Sequence, residues 1–195
     1  MIHEHNEIER KLDATGVDID AFRRWCSDRL PEKYVFVNSP DYYYNQNGNV
    51  IRHRVNSETN HELTVKKRKS DKNTFDRLEI DLKFAPSTTA KDVEAFIKAV
   101  GFTLEFKLRK EAYIFWFQEG NTHLTVVVYD VFCEGHKDRR FIEVEAEKGS
   151  AVSIDHAKKR VNAWVKEIKE KFNLAGEPLN DSLYEIYTGK KYQTV

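Results

Sequence analysis

The 195-residue chain is poor in cysteine, proline, glycine and methionine, with two Cys, four Pro, eight Gly and one Met. Cys26 and Cys133 lie far apart and in no metal-ligand spacing, which excludes a disulfide framework and reads as two reduced, buried thiols of an intracellular protein. No Pro- or Gly-rich linker and no low-complexity tract divides the chain, so residues 1–195 are expected to form one domain. An excess of charge of either sign is also missing: Lys+Arg and Asp+Glu both number 32. That balance argues against a nucleic-acid coating protein or an acidic tail. No apolar run approaches a membrane span, and "MIHEHNEIER" has no signal-peptide core. A soluble, cytoplasmic protein is expected, as monomer or homodimer, with no membrane partner.

What is present is charge, arranged in alternation. Charged residues make up 33% of the chain and hydrophobic ones 40%. "NEIERKL" predicts a strand, and "DIDAFRRWCSDRL" a helix with Ile19, Phe22, Trp25, Cys26 and Leu30 at helical spacing, closed by Pro31. "KYVFVNSPDYYYN" and "NVIRHRVN" flank the turn "NQNGN" and predict a hairpin. "HELTVKKRK" and "FDRLEIDLKF" read as a further strand pair. "STTAKDVEAFIKAVGF" predicts a helix with Thr88 or Thr89 as N-cap and Gly101 near its end. "TLEFKLRKEAYIFWFQ" and "THLTVVVYDVF" form another hairpin around "EGN", and "RRFIEVEAEK" a last strand. "SIDHAKKRVNAWVKEIKEKFN" is an amphipathic helix with Val161, Trp164, Val165, Ile168 and Phe172 on one side. The tail from Asp181 predicts a short ordered segment and a frayed end. About eight strands and three helices make this an antiparallel α+β fold with a large curled sheet or barrel.

Period 2 places one charged face on six of these strands. The faces are Glu7/Glu9/Lys11, Arg52/Arg54, Lys66/Arg68 and Arg77/Glu79/Asp81/Lys83, then Lys107/Arg109 opposite Phe106 and Leu108, and Glu143/Glu145/Glu147. A solvated sheet face explains any one of them. Together they are dense, of both signs, and set in alternate-residue pairs suited to two prongs on one anion or two carboxylates on one cation. If the sheet closes, the apolar faces turn outward under helices and the charges line a tunnel. Burying so many charges is costly without compensation. A polyphosphate with divalent metal supplies it: Lys and Arg hold phosphoryl oxygens, and paired carboxylates hold hard cations such as Mg²⁺ or Mn²⁺.

The succession of motifs resembles the CYTH domain, the triphosphate tunnel metalloenzymes. "EIERK" has the Glu-x-Glu-x-Lys form that opens that domain. "DYYYN" is similar to its Asp-x-Tyr element, "IRHR" to its Arg-x-Arg strand and "LTVKKR" to its lysine strand. "DRLEID" resembles Arg-x-Glu-x-Glu, "FKLR" Lys-x-Arg, "YDVF" the late aspartate and "FIEVE" the closing Glu-x-Glu. The order agrees over residues 5–147, and "SLYEIY" is similar to the family's C-terminal segment. Departures are "CEGHKDRR" where Leu-Gly usually precedes the closing motif, Asp81 in place of a second glutamate, and no cyclase-type lead before the first motif.

The resemblance implies an α+β fold built on an eight-stranded antiparallel barrel, forming a charged tunnel with helices outside. It implies Mg²⁺ or Mn²⁺ on Glu7, Glu9, Asp130, Glu143 and Glu145, and phosphates held by Lys11, Arg52, Arg54, Lys66, Lys107 and Arg109. Lys11, Arg77 and Glu79 are the catalytic candidates, the last two as an orienting ion pair. The activity implied is metal-dependent hydrolysis of inorganic, thiamine or nucleoside triphosphate. The alternatives are a class IV adenylyl cyclase making cyclic AMP and pyrophosphate from ATP, and a non-catalytic nucleotide or polyphosphate binder. An RNA 5′-triphosphate substrate is opposed by the lack of an obvious basic patch at a mouth. The seven histidines read as surface or packing residues, with His53 on the outer face. Phe115, Trp116 and Phe117 read as core and helix-contact aromatics, Tyr42–Tyr44 as packing residues, and "AKKR" as a solvated face.

Overall fold

A computed structural model describes residues 2–57, 60–68, 76–85, 87–147 and 153–191, with side chains described except for those of residues 2–7, 66–68, 76–79 and 147. The strands are β1 (Ile2–Asp13), β2 (Lys33–Gln46), β3 (Asn49–Ser57), β4 (Asn60–Arg68), β5 (Asp76–Lys83), β6 (Thr103–Glu119), β7 (Thr122–Phe132) and β8 (Arg139–Glu147). The helices are α1 (Ile19–Ser27), α2 (Ala90–Ala99), α3 (Ile154–Phe172) and α4 (Leu183–Thr188), the last being the short ordered segment expected in the tail. Neighbouring strands run antiparallel around a ring, the eight-stranded antiparallel architecture expected, in the order β1-β5-β4-β3-β2-β6-β7-β8. β1 closes it by pairing with β5 over Ile2–Ile8 and with β8 over Glu7–Asp13. Beyond Ile8 the β5 side of β1 is vacated, and the C-terminal segment occupies it: Leu179 N–H donates to the Lys11 carbonyl at 2.7 Å.

Local chemistry places the connections. Asn47 and Gly48 both have positive φ, 52° and 84°, the Asn-Gly pairing that suits a tight hairpin turn between β2 and β3. Thr89 rather than Thr88 caps α2, in a reciprocal capping box with Asp92. Its far end is a Schellman turn: Gly101 N–H donates to Lys98 O at 3.0 Å and Phe102 N–H to Ile97 O at 3.2 Å. Gly101 has φ +92°, a backbone conformation that favours glycine, and a Cβ there would lie 2.5 Å from Gln46 Nε2 and push aside the end of that side chain.

The outer face carries the expected cores. Ile8, Leu12, Phe115, Phe117, Val126, Val128, Ile142 and Val144 pack beneath α1 and α3, whose Phe22, Trp25, Val161, Trp164 and Ile168 complete the cluster. Tyr44 and Leu63 pack beneath α2 through Val93 and Ile97. A third cluster was not expected. Tyr43, Leu108, Ala112, Val127, Tyr129, Val131 and Phe141, all on the inward side of the ring by register, pack with Leu183 and Tyr184 of α4. One end of the barrel is therefore filled by apolar side chains and closed by the C-terminal helix.

Candidate functional site

Residues paired directly across antiparallel strands point to the same face. One inward row runs Lys33, Trp116, Thr125, Glu145, Glu9, and the next runs Val35, Ile114, Val127, Glu143, Lys11. On the other wall Arg52 pairs with Tyr43 and Thr64, and Arg54 with Asp41 and Glu62. The alternation that exposes Ile8, Ile142 and Val144 to the helices thus turns Glu9, Lys11, Glu143 and Glu145 inward. The same applies to Arg52 and Arg54.

Lys11 is the centre of the acidic wall, only 3% exposed. Its Nζ lies 3.1 Å from Glu143 Oε1 and 3.3 Å from Glu9 Oε1, and donates to the Asp181 carbonyl at 3.2 Å. Tyr129 donates its hydroxyl to Glu143 Oε1 at 2.6 Å. Burial first, and then the Glu143 carboxylate, push the Tyr129 pKa well up, which keeps the hydroxyl a donor.

Opposite stands Asp41, fully buried, whose two oxygens each accept at 2.8 Å from the Arg54 guanidinium. Burial alone would raise this carboxyl; Arg54 overcomes it and holds the pKa down at about 2. Arg52 donates to Thr64 Oγ1 at 2.7 Å, the Thr64 hydroxyl donates in turn to Asp81 Oδ1 at 2.7 Å, and Glu62 lies 3.4 Å from the same guanidinium. Lys110 sits with its ammonium 3.7 Å from the centre of the Tyr129 ring. Burial lowers its pKa to about 8, although Glu143 pulls the other way. Among the described residues the interior presents the cations Lys11, Arg52, Arg54 and Lys110 against carboxylates that balance them, with Lys33 further along the same face.

The sequence-predicted residues divide accordingly. Lys11, Arg52, Arg54, Glu9, Glu143 and Glu145 are brought to one interior. The side chains of Glu7, Lys66, Arg77 and Glu79 lie outside the described residues; in backbone register position 7 pairs with 77 and position 66 with 79. Lys107, Arg109 and Asp130 are corrected: the structure puts them on the outer face. Lys107 and Arg109 are exposed, and Arg109 pairs with Glu111. Asp130 forms a two-pronged ion pair with Arg140, at 2.7 and 2.8 Å. The physical reason for Lys107 and Arg109 is that Phe106 and Leu108 face the plugged end of the barrel, which turns their charged neighbours outward; for Asp130 it is the Arg140 partner on the outer face. Following the alternation back from Phe115 and Phe117, which do pack outward, puts Lys110 inside and its neighbour Arg109 outside.

Asp41, Lys110, Tyr129 and Thr64 are functional candidates that sequence reasoning passed over. Asp41 had a signal, its position in "DYYYN" one hairpin away from "IRHR". His53 is on the outer face as expected. It is buried beside His61 with ring centres 5.6 Å apart, and burial first lowers its pKa to about 4. Trp116 departs from its expected role, since it turns inward while Phe117 packs on Trp164 at 4.7 Å.

The donor set suits a hard cation, being all carboxylate oxygen around Glu9, Glu143 and Glu145. Among the described residues no group of three acidic, histidine or cysteine side chains converges to hold a metal by itself. Among the described residues no helix is long and apolar enough to cross a membrane.

No protein-family model matches the chain, and no curated protein matches it by sequence. Solved structures do. The PH1819 protein of Pyrococcus horikoshii superposes with TM-score 0.66 at 19% identity, over 95% of this chain and 99% of that one. A proposed adenylate cyclase (bh2851) of Bacillus halodurans gives 0.55 at 15% identity, again over 95% and 99%. A chain of the Schizosaccharomyces pombe Mediator head module gives 0.52 at 10%, over 90% and 98%. At these identities the likeness shows a shared fold over nearly the whole chain, the helix-covered antiparallel barrel of tunnel type. That barrel serves proteins of different kinds, so the activity must be argued from the side chains.

Proposed function

We propose that the tunnel binds a triphosphate and hydrolyses it with the help of Mg²⁺ or Mn²⁺. The observation that supports this reading most is the pairing of opposite walls in one buried interior. Arg52, Arg54, Lys110 and Lys11 face Glu9, Glu143 and Glu145, and neither set is useful without an anion and a cation between them. A pure anion binder has no need of the carboxylates, and a pure metal site has no need of four cations.

In this reading Arg52 and Arg54 grip phosphoryl oxygens from one side, with Asp41 fixing the Arg54 plane and Thr64 the Arg52 one. Lys110 and Lys11 neutralise charge from the other side. Lys11 exchanges its contacts with Glu9 and Glu143 for a phosphoryl oxygen, which releases those carboxylates to a cation. Glu7, Lys66, Arg77 and Glu79 belong to the proposal as further metal, phosphate and orienting residues. The metal, held by Glu9, Glu143 and Glu145 with the phosphates, would supply charge neutralisation and a more acidic water. Closure of one end by α4 leaves the opposite end for entry, so the phosphate chain enters lengthwise.

The experiment is a panel of tripolyphosphate, thiamine triphosphate and nucleoside triphosphates with Mg²⁺ and with Mn²⁺, in which phosphate and pyrophosphate are resolved. Phosphate release that depends on metal is expected. Pyrophosphate with cyclic AMP from ATP would replace hydrolysis by cyclisation in the same tunnel. No turnover of any member would remove the enzyme reading.

A further inference from the structure

The interior wall made by β2, β6 and β7 is chemically unlike the rest of the tunnel. Beyond the α4 plug it presents Val35, Val37 and Trp116, with Ile114 at the edge of the plugging cluster, all only partly buried. Trp116 stands three residues before the β6–β7 turn, and so near the mouth. Its neighbours in sequence each have a ring partner on the outer face: Phe115 stacks with Tyr34 at 5.4 Å, and Phe117 packs on Trp164. Trp116 has none there, and among the described residues it belongs to none of the three apolar clusters. What it does have is the Lys33 ammonium, 5.1 Å from its ring centre.

An indole held half open on the inside of a charged tunnel is poorly explained by packing. Folding would favour a smaller or polar residue at a wet lumen position, because an exposed apolar ring gains little there. It is well explained by a ligand with a flat apolar part. The hydrogen-bonded row that holds Trp116 continues through Thr125 to Glu145 and Glu9. Two strand spacings separate Trp116 from Glu145, about 10 Å. A ring stacked on the indole would therefore leave its phosphate chain directed at the carboxylates and at Lys11 in the next row. Lys33 adds a cation beside that ring, at the point where the chain of phosphates begins.

We propose that Trp116, flanked by Val35 and Ile114, is a stacking shelf for the aromatic heterocycle of an organic triphosphate. The substrate is then an organic triphosphate, such as a nucleoside or thiamine ester, in preference to inorganic tripolyphosphate. The inference rests on the triphosphate reading of the tunnel, but it concerns the half of the ligand that the charged residues do not touch.

The test uses equilibrium binding, so that it does not depend on turnover. The full chain and its W116A and W116F variants are titrated in Mg²⁺ with the non-hydrolysable imido analogues of ATP and of tripolyphosphate. W116A is expected to weaken the nucleotide analogue by roughly tenfold or more, the scale of an aromatic–base stack removed by alanine. W116F keeps most of the affinity, and binding of the inorganic analogue is unchanged in both. The nucleotide analogue should also quench intrinsic fluorescence in the wild type and not in W116F. Trp25 and Trp164, the other two tryptophans, pack edge to face in the outer core at 5.8 Å and stay silent. Equal losses for both ligands, or none for either, would overturn the shelf while leaving hydrolysis of tripolyphosphate intact. Trp116-dependent nucleotide binding with no release of phosphate from any triphosphate would sink the hydrolase reading and keep the shelf. Failure of both ligands to bind the wild type overturns both.

Discussion

Replacing Asp41 by asparagine keeps the shape of the buried side chain and removes its charge. The Arg54 guanidinium then faces an amide where it had two charge-assisted hydrogen bonds of 2.8 Å. Breaking a buried ion pair by deleting one partner costs about 3–5 kcal/mol. Arg54 is 22% exposed to the tunnel, so a cost discounted below that range, about 2–3 kcal/mol, applies. A second route agrees: the drop from the ordinary aspartate value of 3.8 to about 2 corresponds to about 2 kcal/mol, and Asp41 is fully buried. Because the folded pKa is depressed, this contribution is complete above the unfolded value near 4. It fades as pH falls toward 2, and about half of it survives at pH 3. Urea unfolding of wild type and D41N is the assay. The wild type should be about 2–3 kcal/mol more stable at pH 7, with a Tm higher by roughly 5 °C or more, and the gap should narrow by about half at pH 3. A gap below about 0.5 kcal/mol at pH 7, or one equal at both pH values, would refute the claim that this pair anchors the basic wall.

Three further perturbations probe other walls. Lys110 has its pKa lowered to about 8, so kcat/KM should fall as pH rises through 8 in the wild type, and K110R, whose charge does not titrate in that range, should flatten the profile. Asp130 pairs with Arg140 on the outer face, where both are 21% exposed; D130N should leave turnover within about twofold and cost about 1–2 kcal/mol in thermal unfolding. G101A should lower stability by about 1–2 kcal/mol through its positive φ and the Gln46 contact, with turnover unchanged.

Two strands explain why part of the site was legible in sequence. In β1 and β8, Ile8, Leu12, Ile142 and Val144 alternate with Glu9, Lys11, Glu143 and Glu145, and one face is plainly apolar. Period 2 then needs no further information, and the inward placing of Glu9, Lys11, Glu143 and Glu145 follows from it, as does that of Arg52 and Arg54 against Ile51 and Val55. β6 and β7 lack that contrast. Their outward residues Phe115, Phe117, Val126 and Val128 pack under helices, while their inward residues Leu108, Ala112, Val127 and Val131 pack on α4. Apolar residues on both faces leave the alternation without a sign, so period 2 alone does not separate Lys107 and Arg109 from Lys110, or Trp116 from Phe115 and Phe117; Asp130 rests on the motif resemblance alone, and its partner Arg140 holds it on the outer face. The plug that caused this is formed by a segment some seventy residues downstream of β6, a tertiary contact that no local pattern encodes. The barrel itself was legible because it depends on strand number and pairing, which hairpin turns such as Asn47–Gly48 set locally.

The most direct test of the account is phosphate release from triphosphates by the wild type and by E9Q, with and without Mg²⁺ or Mn²⁺. Glu9 faces Glu145 in register and lies 3.3 Å from Lys11, where the interior carboxylates meet a buried cation. The account predicts metal-dependent release by the wild type and its loss, by roughly 100-fold or more, in a folded E9Q protein. Full activity of E9Q, or release by the wild type that ignores metal, would contradict it.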